Sequence, residues 1–367
     1  MLLVVSVQPG IAQYSRYIVE LKDKQNSSYN INQPATFLSP KSVLRRTRFN
    51  IPIDSTDLPV NSSYLSSIAS IENVSIISVS RWLNQVLIQT NDTAAITKIK
   101  KLYFVNITAP IALSAARNII TVDKFKNEKT EIATSSLSPL KNLANSLDYG
   151  QSFGQIHLHE GEYLHNKGFT GDGITIAIMD AGFFNFNTIK AFDSIRRNNQ
   201  IKGVWDFVQR EASVSEDNQH GMNCLSIIAS NLPGNMVGTA PKSSFYLFRT
   251  EDDKSEYPIE EHHWVVAAEQ ADSLGADMIS SSVGYADFDD ASFNHSYADL
   301  DGDKTMITRA ADLAARKGII VCNSAGNSGN TTWKYIIAPA DGDSVLAIGA
   351  TDVNGVPATF SSYGPSF

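Results

Sequence analysis

Residues 173–182 read G-I-T-I-A-I-M-D-A-G, and this stretch decides the fold. Ile174, Ile176 and Ile178 lead into Asp180 through a short apolar run entered by the Gly-Asp-Gly turn at 171–173. A β-branched run of this kind, bounded by turn residues, predicts a buried strand. Open α/β sheets place their chemistry outside the carboxyl ends of their strands, where Asp180 falls. Taken alone, Asp180 reads as a strand-end residue that caps the next turn. Its neighbours along the chain change that reading.

Downstream, elements of two periods alternate. A helix is predicted over 221–230 and a strand over 244–248. A further helix opens at Pro258, with Glu260 and Glu261 in its first turn, and stops at Gly275 after Leu274. A strand over 278–283 follows, then a helix capped by Thr305 that runs to Lys317 and ends at Gly318, then strands over 319–322 and 345–349. Alternation of this kind predicts an α/β fold with a doubly wound parallel sheet. Upstream the order is different. Strands over 17–21, 76–80, 84–89 and 103–107, with helices over 60–71 and 93–102, give the ferredoxin-like order of a small α+β unit. That unit carries no paired acid and base groups and reads as a binding module.

A chain of 367 residues exceeds one core of typical size, so two folded units are expected. The predicted divisions are 1–13, 14–111, a polar linker over 112–150 open to proteolytic processing, and 151–367. The net charge of −8 gives no sign of nucleic-acid binding. The one dense basic cluster, Arg45, Arg46 and Arg48, reads as solvated surface. No run approaches 18 apolar residues, so no membrane-spanning helix is expected. The first 13 residues carry no charge and have a short apolar core with a small-residue exit near Ala12-Gln13. They read as the end of a secretory signal peptide whose basic start lies upstream, which points to a secreted, extracellular or periplasmic protein. A buried N-terminal strand is the other reading. Cys224 and Cys322 sit in apolar segments and predict buried free thiols, with a single bridge between them as the other reading.

His220 stands in N-Q-H-G-M-N-C-L-S-I-I-A-S, directly before an apolar helix, where it can present its imidazole at the sheet edge. Asn327 stands in V-C-N-S-A-G-N-S-G-N, directly after a buried strand. Singly these are a capping histidine and a turn asparagine. Together with Asp180 they follow the ends of separate strands of one sheet, where a cleft forms. An Asp to orient, a His as base and an Asn amide as oxyanion donor are the parts needed for acyl transfer by a serine.

On these residues, 151–367 resembles the subtilisin family of serine proteases. Asp180-Ala181-Gly182 matches the family's Asp motif, His220-Gly221-Met222-Asn223-Cys224 its His motif, and Ser324-Ala325-Gly326-Asn327-Ser328-Gly329 its oxyanion motif, in the family's order. The departures are Ala181, where a hydroxyl residue usually supports the Asp, and Met222-Asn223 in place of Thr-His. Cys224 falls where some members carry a free thiol beneath the His, which implies mercurial sensitivity. The resemblance also implies that Ser282-Val283-Gly284 pairs with substrate backbone as an added strand, with Ser324-Ala325-Gly326 opposite, on the wall of the first specificity pocket. Ordinary strand ends are the other reading of both segments. The first unit resembles the family's inhibitory propeptide, which would assist folding and block the cleft until cut away. Residues 39–59 have no counterpart in its short versions.

The family's G-T-S nucleophile motif does not occur in these residues. The serine is expected beyond Phe367, and the 367 residues alone are expected to hydrolyse no peptide. The rival reading is a non-catalytic binding protein on a degenerate or truncated protease scaffold. His157, His159 and His165 suggest zinc but lack H-E-x-x-H and read as surface histidines. The acids of Glu260-Glu261-His262-His263 are explained by the helix dipole. Asp299, Asp301 and Asp303 suggest calcium but lack the closing Glu of an EF-hand loop. No cofactor is therefore expected, and the partners are protein or peptide substrates and the chain's own propeptide.

Overall fold

The computed structural model describes residues 14–113, 124–125 and 146–367. The expected signal segment at 1–13 and most of the expected linker lie outside the described residues. Two compact units divide the chain: Met1–Tyr29 with Ser55–Ile120, and Asn30–Asp54 with Thr121–Phe367. Among the described residues no helix is long and apolar enough to cross a membrane.

The first unit opens with β1 (Tyr14–Leu21). An excursion then carries α1 (Pro40–Phe49), which groups with the second unit although it lies inside the stretch expected as one domain. The first unit resumes with α2 (Ser62–Ala69), β2 (Ser75–Ser80), β3 (Gln85–Gln89), α3 (Thr93–Lys100) and β4 (Val105–Leu113). The sheet order β2-β3-β1-β4, antiparallel throughout, is the ferredoxin-like arrangement. Asn61 and Asp92 cap the two helices by accepting from Ser63 and Ala94 N–H. Their apolar faces bury Ile68 and Ile99 against Val19, Val86 and Ile88. Strand β4 runs six residues past the expected end at 107 and passes through Pro110, which should stop a strand. It does so because β4 is an edge strand, where one missing N–H costs no ladder bond.

The second unit is built on β5 (Thr175–Asp180), β6 (Ile201–Asp206), α4 (His220–Ala229), β7 (Ser244–Arg249), α5 (Pro258–Leu274), β8 (Met278–Ser281), α6 (Met306–Arg316), β9 (Ile320–Ser324) and β10 (Leu346–Ile348). The order β10-β9-β8-β5-β7-β6 is parallel throughout. β5 lies where the winding reverses, between β7 and β8, the place at which such sheets open a crevice. Every residue of β5 is buried, and Ile176 and Ile178 pack with Phe183, Leu225, Phe245 and Leu247. Ile174, read as part of the buried run, precedes the strand and is exposed.

Further sequence expectations fail on the second unit. Arg45 and Arg46 are not solvated: they are 5% and 2% exposed, and only Arg48 faces water. Helix α1 lies on α5, and the fully buried Asp272 receives both guanidinium groups. Arg46 donates to its two oxygens at 3.0 and 2.8 Å, and Arg45 donates to Asp272 and, at 3.0 Å, to the Lys317 carbonyl. Gly275 closes α5 at φ +84°, and a Cβ there would come within 2.7 Å of Lys41, so the glycine also admits α1. The second failure is His165, which is buried. Its Nδ1 meets Tyr149 Oη and its Nε2 the Thr239 carbonyl, each at 2.8 Å, so hydrogen bonds that hold the fold take both nitrogens. His157 and His159 are exposed as expected. Neither Cys224 nor Cys322 forms a disulfide among the described residues, and both are partly exposed where burial was expected.

Glu261, 2% exposed along its side chain, is paired with His295 Nε2 at 2.6 Å. Burial opposes the charge on His295, but the bond to Glu261 and its charge outweigh it and hold the imidazole above its ordinary pKa. A raised histidine contributes stability in full below about pH 6.5, lost as pH rises through the folded value. Thermal unfolding from pH 6 to 9 should therefore show Tm falling on the alkaline side, with a slope reduced in His295→Gln. An unchanged slope in that variant would contradict the assignment.

Candidate active site

The site begins at the carboxyl end of β5. Asp180 is fully buried, and its Oδ1 accepts the Ala181 N–H at 2.7 Å. Helix α4 begins at His220, whose backbone N–H is held by Asn218 Oδ1 at 2.9 Å. The next residue must be glycine: a Cβ on Gly221 would stand 2.5 Å from the Gly182 carbonyl and 2.7 Å from Asp180 Cβ. This close approach carries the imidazole to the acid. His220 Nδ1 lies 2.6 Å from Asp180 Oδ1, which makes Nδ1–H the donor and leaves Nε2 as the basic nitrogen. Asp180 Oδ2 is buried with no hydrogen-bond partner among the described residues, and Ala181 has no hydroxyl to offer it. The Cys224 sulfur lies within 4.8 Å of ligand atoms of both Asp180 and His220.

Behind this pair, Arg249 at the end of β7 is 4% exposed and donates from Nε to the Ala181 carbonyl at 3.1 Å. It also pairs with Asp206 at 2.8 Å and Asp217 at 3.1 Å. Burial pushes the Asp217 carboxyl up to about 6 against the pull of Arg249. The arginine braces the turn that holds Asp180, a role the sequence reading did not single out.

A cleft of about 300 Å³ runs along the strand ends. Ser282, Val283 and Gly284 after β8 line it, as do Ser324, Gly326 and Asn327 at and after β9. Gly326 turns the chain there at φ +102°. Ala325 is not on the wall; it packs beneath, with Ile336 and Ala340.

Five further residues gather at this site: Lys124, Phe125, Glu251, Glu256 and Glu260. The Phe125 ring stacks on His220, with centroids 4.4 Å apart and planes 24° from parallel. Lys124 Nζ lies 2.7 Å from Glu260, 2.8 Å from Glu256 and 3.2 Å from Glu251, while its backbone N–H donates to the Asp253 carbonyl at 3.2 Å. Burial opposes the charge on Lys124, but the three carboxylates outweigh it and hold the ammonium well above its ordinary value. Burial likewise pushes Glu256 up to about 7, with Lys124 pulling it back. Sequence reasoning explained Glu260 by the helix dipole and gave the others no role. The available signal was that the β7–α5 loop leaves the same sheet edge as Asp180.

The chain is similar to known proteins. The family model described as "Subtilase family" matches residues 171–367, and "Peptidase S8 propeptide domain, Bacteroidota" matches residues 16–130. Thermitase of Thermoactinomyces vulgaris is 30% identical over 199 residues, which are 53% of this chain and 61% of thermitase. Subtilisin NAT of Bacillus subtilis subsp. natto is 28% identical over 225 residues, 60% of this chain and 51% of the subtilisin. The chain thus spans about half to three-fifths of the length of these curated relatives. The epidermin leader peptide processing serine protease of Staphylococcus aureus shares the fold with a TM-score of 0.56 at 15% identity, over 97% of this chain and 73% of that one. Fervidolysin of Fervidobacterium pennivorans does so at 0.52 and 15%, over 91% and 43%.

Proposed function

This chain belongs to the subtilase family, and from that premise we propose that the cleft at Asp180, His220 and Asn327 is the active site of a serine endopeptidase. The observation that carries the reading is the 2.6 Å bond between His220 Nδ1 and the buried Asp180, with the Phe125 ring that stacks on His220 lining the same cleft as Asn327. The reading requires a serine hydroxyl within hydrogen-bond reach of His220 Nε2. As that oxygen attacks a peptide carbonyl carbon, Nε2 takes its proton, and Asp180 stabilises the imidazolium. The Asn327 amide donates to the oxyanion of the tetrahedral intermediate. The imidazolium then gives its proton to the departing amine, and water attacks the acyl-enzyme by the same route in reverse. Ser282, Val283 and Gly284 hold the substrate backbone as an added strand, and Ser324 and Gly326 face the residue before the scissile bond, with Ala325 supporting them from beneath.

The ferredoxin-like unit, within the propeptide match, acts as an intramolecular inhibitor and folding aid, since a parallel sheet built from non-local contacts forms slowly. Processing in the 112–150 segment releases it. Secretion, read from residues 1–13 and from the family, completes the proposal.

Asn327→Ala should lower kcat for an internally quenched peptide about 10²–10³-fold with KM little changed, when measured on the full-length protein. That magnitude is the loss known for the oxyanion-hole asparagine of subtilisin, a relative. A loss below about tenfold would remove Asn327 from the oxyanion role.

A further inference from the structure

Lys124 lies inside the propeptide match and inside the 112–150 segment where processing is proposed, and a cut at the end of that match would remove it. Its departure would leave Glu251, Glu256 and Glu260 facing one another, with ligand oxygens all within 4.8 Å. Glu251 and Glu260 are almost wholly buried. Buried carboxylates without a counter-charge are strongly disfavoured, so the pocket is built to be filled by a cation. Two further contacts show how the present cation arrives. The backbone of Lys124 is hydrogen-bonded to Asp253, and the next side chain lies flat on His220. Lys124 and Phe125 lie in a turn, and a peptide in the cleft that makes the same two contacts would deliver its side chains to the same places.

We infer that Glu251, Glu256 and Glu260 form a subsite for a basic side chain, so that the peptides this cleft takes carry Lys or Arg directly before the residue that stacks on His220. The inference rests on reading the cleft as peptide-binding and adds a substrate class to it. The donor chemistry favours an ammonium or guanidinium over a metal ion. Glu260 already accepts the Asp252 and Tyr257 N–H groups at 2.8 and 3.0 Å, and Glu251 accepts from Tyr285 and Thr250. These donors fix the Glu251 and Glu260 carboxylates, and one oxygen of each of the three acids faces Nζ, whose three N–H groups match three acceptors.

The test uses the full-length protein carrying Lys124→Met, so that its own lysine no longer competes. The probe is a fluorescent peptide copying residues 120–128, compared by polarisation with the same peptide carrying Lys124→Met. The lysine peptide should bind at least about tenfold more tightly, as charge-assisted hydrogen bonds require. Glu256→Gln, at the most exposed of the three acids, combined with Glu251→Gln should bring the ratio to within about twofold. Equal affinity for the two peptides would overturn the inference. So would a ratio indifferent to the Glu substitutions, or calorimetric binding of calcium or zinc that displaces the lysine peptide. A lysine preference in a protein that neither hydrolyses peptides nor reacts with a serine-directed probe would sustain the subsite and sink the peptidase reading.

Discussion

His220→Ala in the full-length protein should lower kcat for peptide hydrolysis about 10⁶-fold, the loss found when the histidine is removed from subtilisin, a relative. The reason lies in how the groups depend on one another. Without an imidazole at Nε2 no base takes the serine proton, so the oxyanion donor and Asp180 have no attack to support. Asp180→Asn should cost less, about 10⁴-fold, because the imidazole remains but loses the acceptor that fixes its tautomer. Combining the two should cost little more than His220→Ala alone, since both act through one step. Single-turnover hydrolysis of a quenched peptide distinguishes these cases. A His220→Ala loss below about 10³-fold would remove His220 from the role of general base.

Asp272→Ala should destabilise the second unit by about 3–5 kcal/mol, because it strands two buried guanidinium groups. Arg45 and Arg46 are 5% and 2% exposed, so neither can turn to water without lifting α1 from α5. Replacing all three by apolar residues of similar volume (Arg45→Met, Arg46→Met, Asp272→Leu) should be close to neutral or stabilising, since the desolvation cost goes with the charges. Urea denaturation of the single and triple variants separates the two outcomes. A single-variant loss below about 1 kcal/mol would mean that the remaining acceptors, the Lys317 and Ala276 carbonyls for Arg45 and Ser42 Oγ for Arg46, suffice for the guanidiniums.

The geometry of the candidate site was legible because it is encoded locally. Asp180 follows a run of β-branched residues, His220 precedes an apolar helix, and Asn327 sits between glycines after a strand, so each motif carries its own structural context. Helix α5 was legible for the same reason: Pro258 and Gly275 mark its ends. The failures are long-range. Arg45-Arg46 looks like surface because the carboxylate that buries it lies 226 residues beyond Arg46, and no periodicity in α1 announces α5. Lys124 looks like linker because its three acids come from a loop and a helix start over 120 residues away. Pro110 hid the true length of β4 because tolerance of a proline depends on edge position, which is a property of the sheet.

The central claim, that the bond between Asp180 and His220 prepares a base for a serine nucleophile, is tested most directly by active-site labelling. A fluorophosphonate probe applied to the full-length protein should modify a single serine, identified by mass spectrometry, and the label should disappear in His220→Ala. A protein that remains unlabelled, with its propeptide removed and its fold intact by circular dichroism, would contradict the account and identify the scaffold as a peptide-binding one without catalysis.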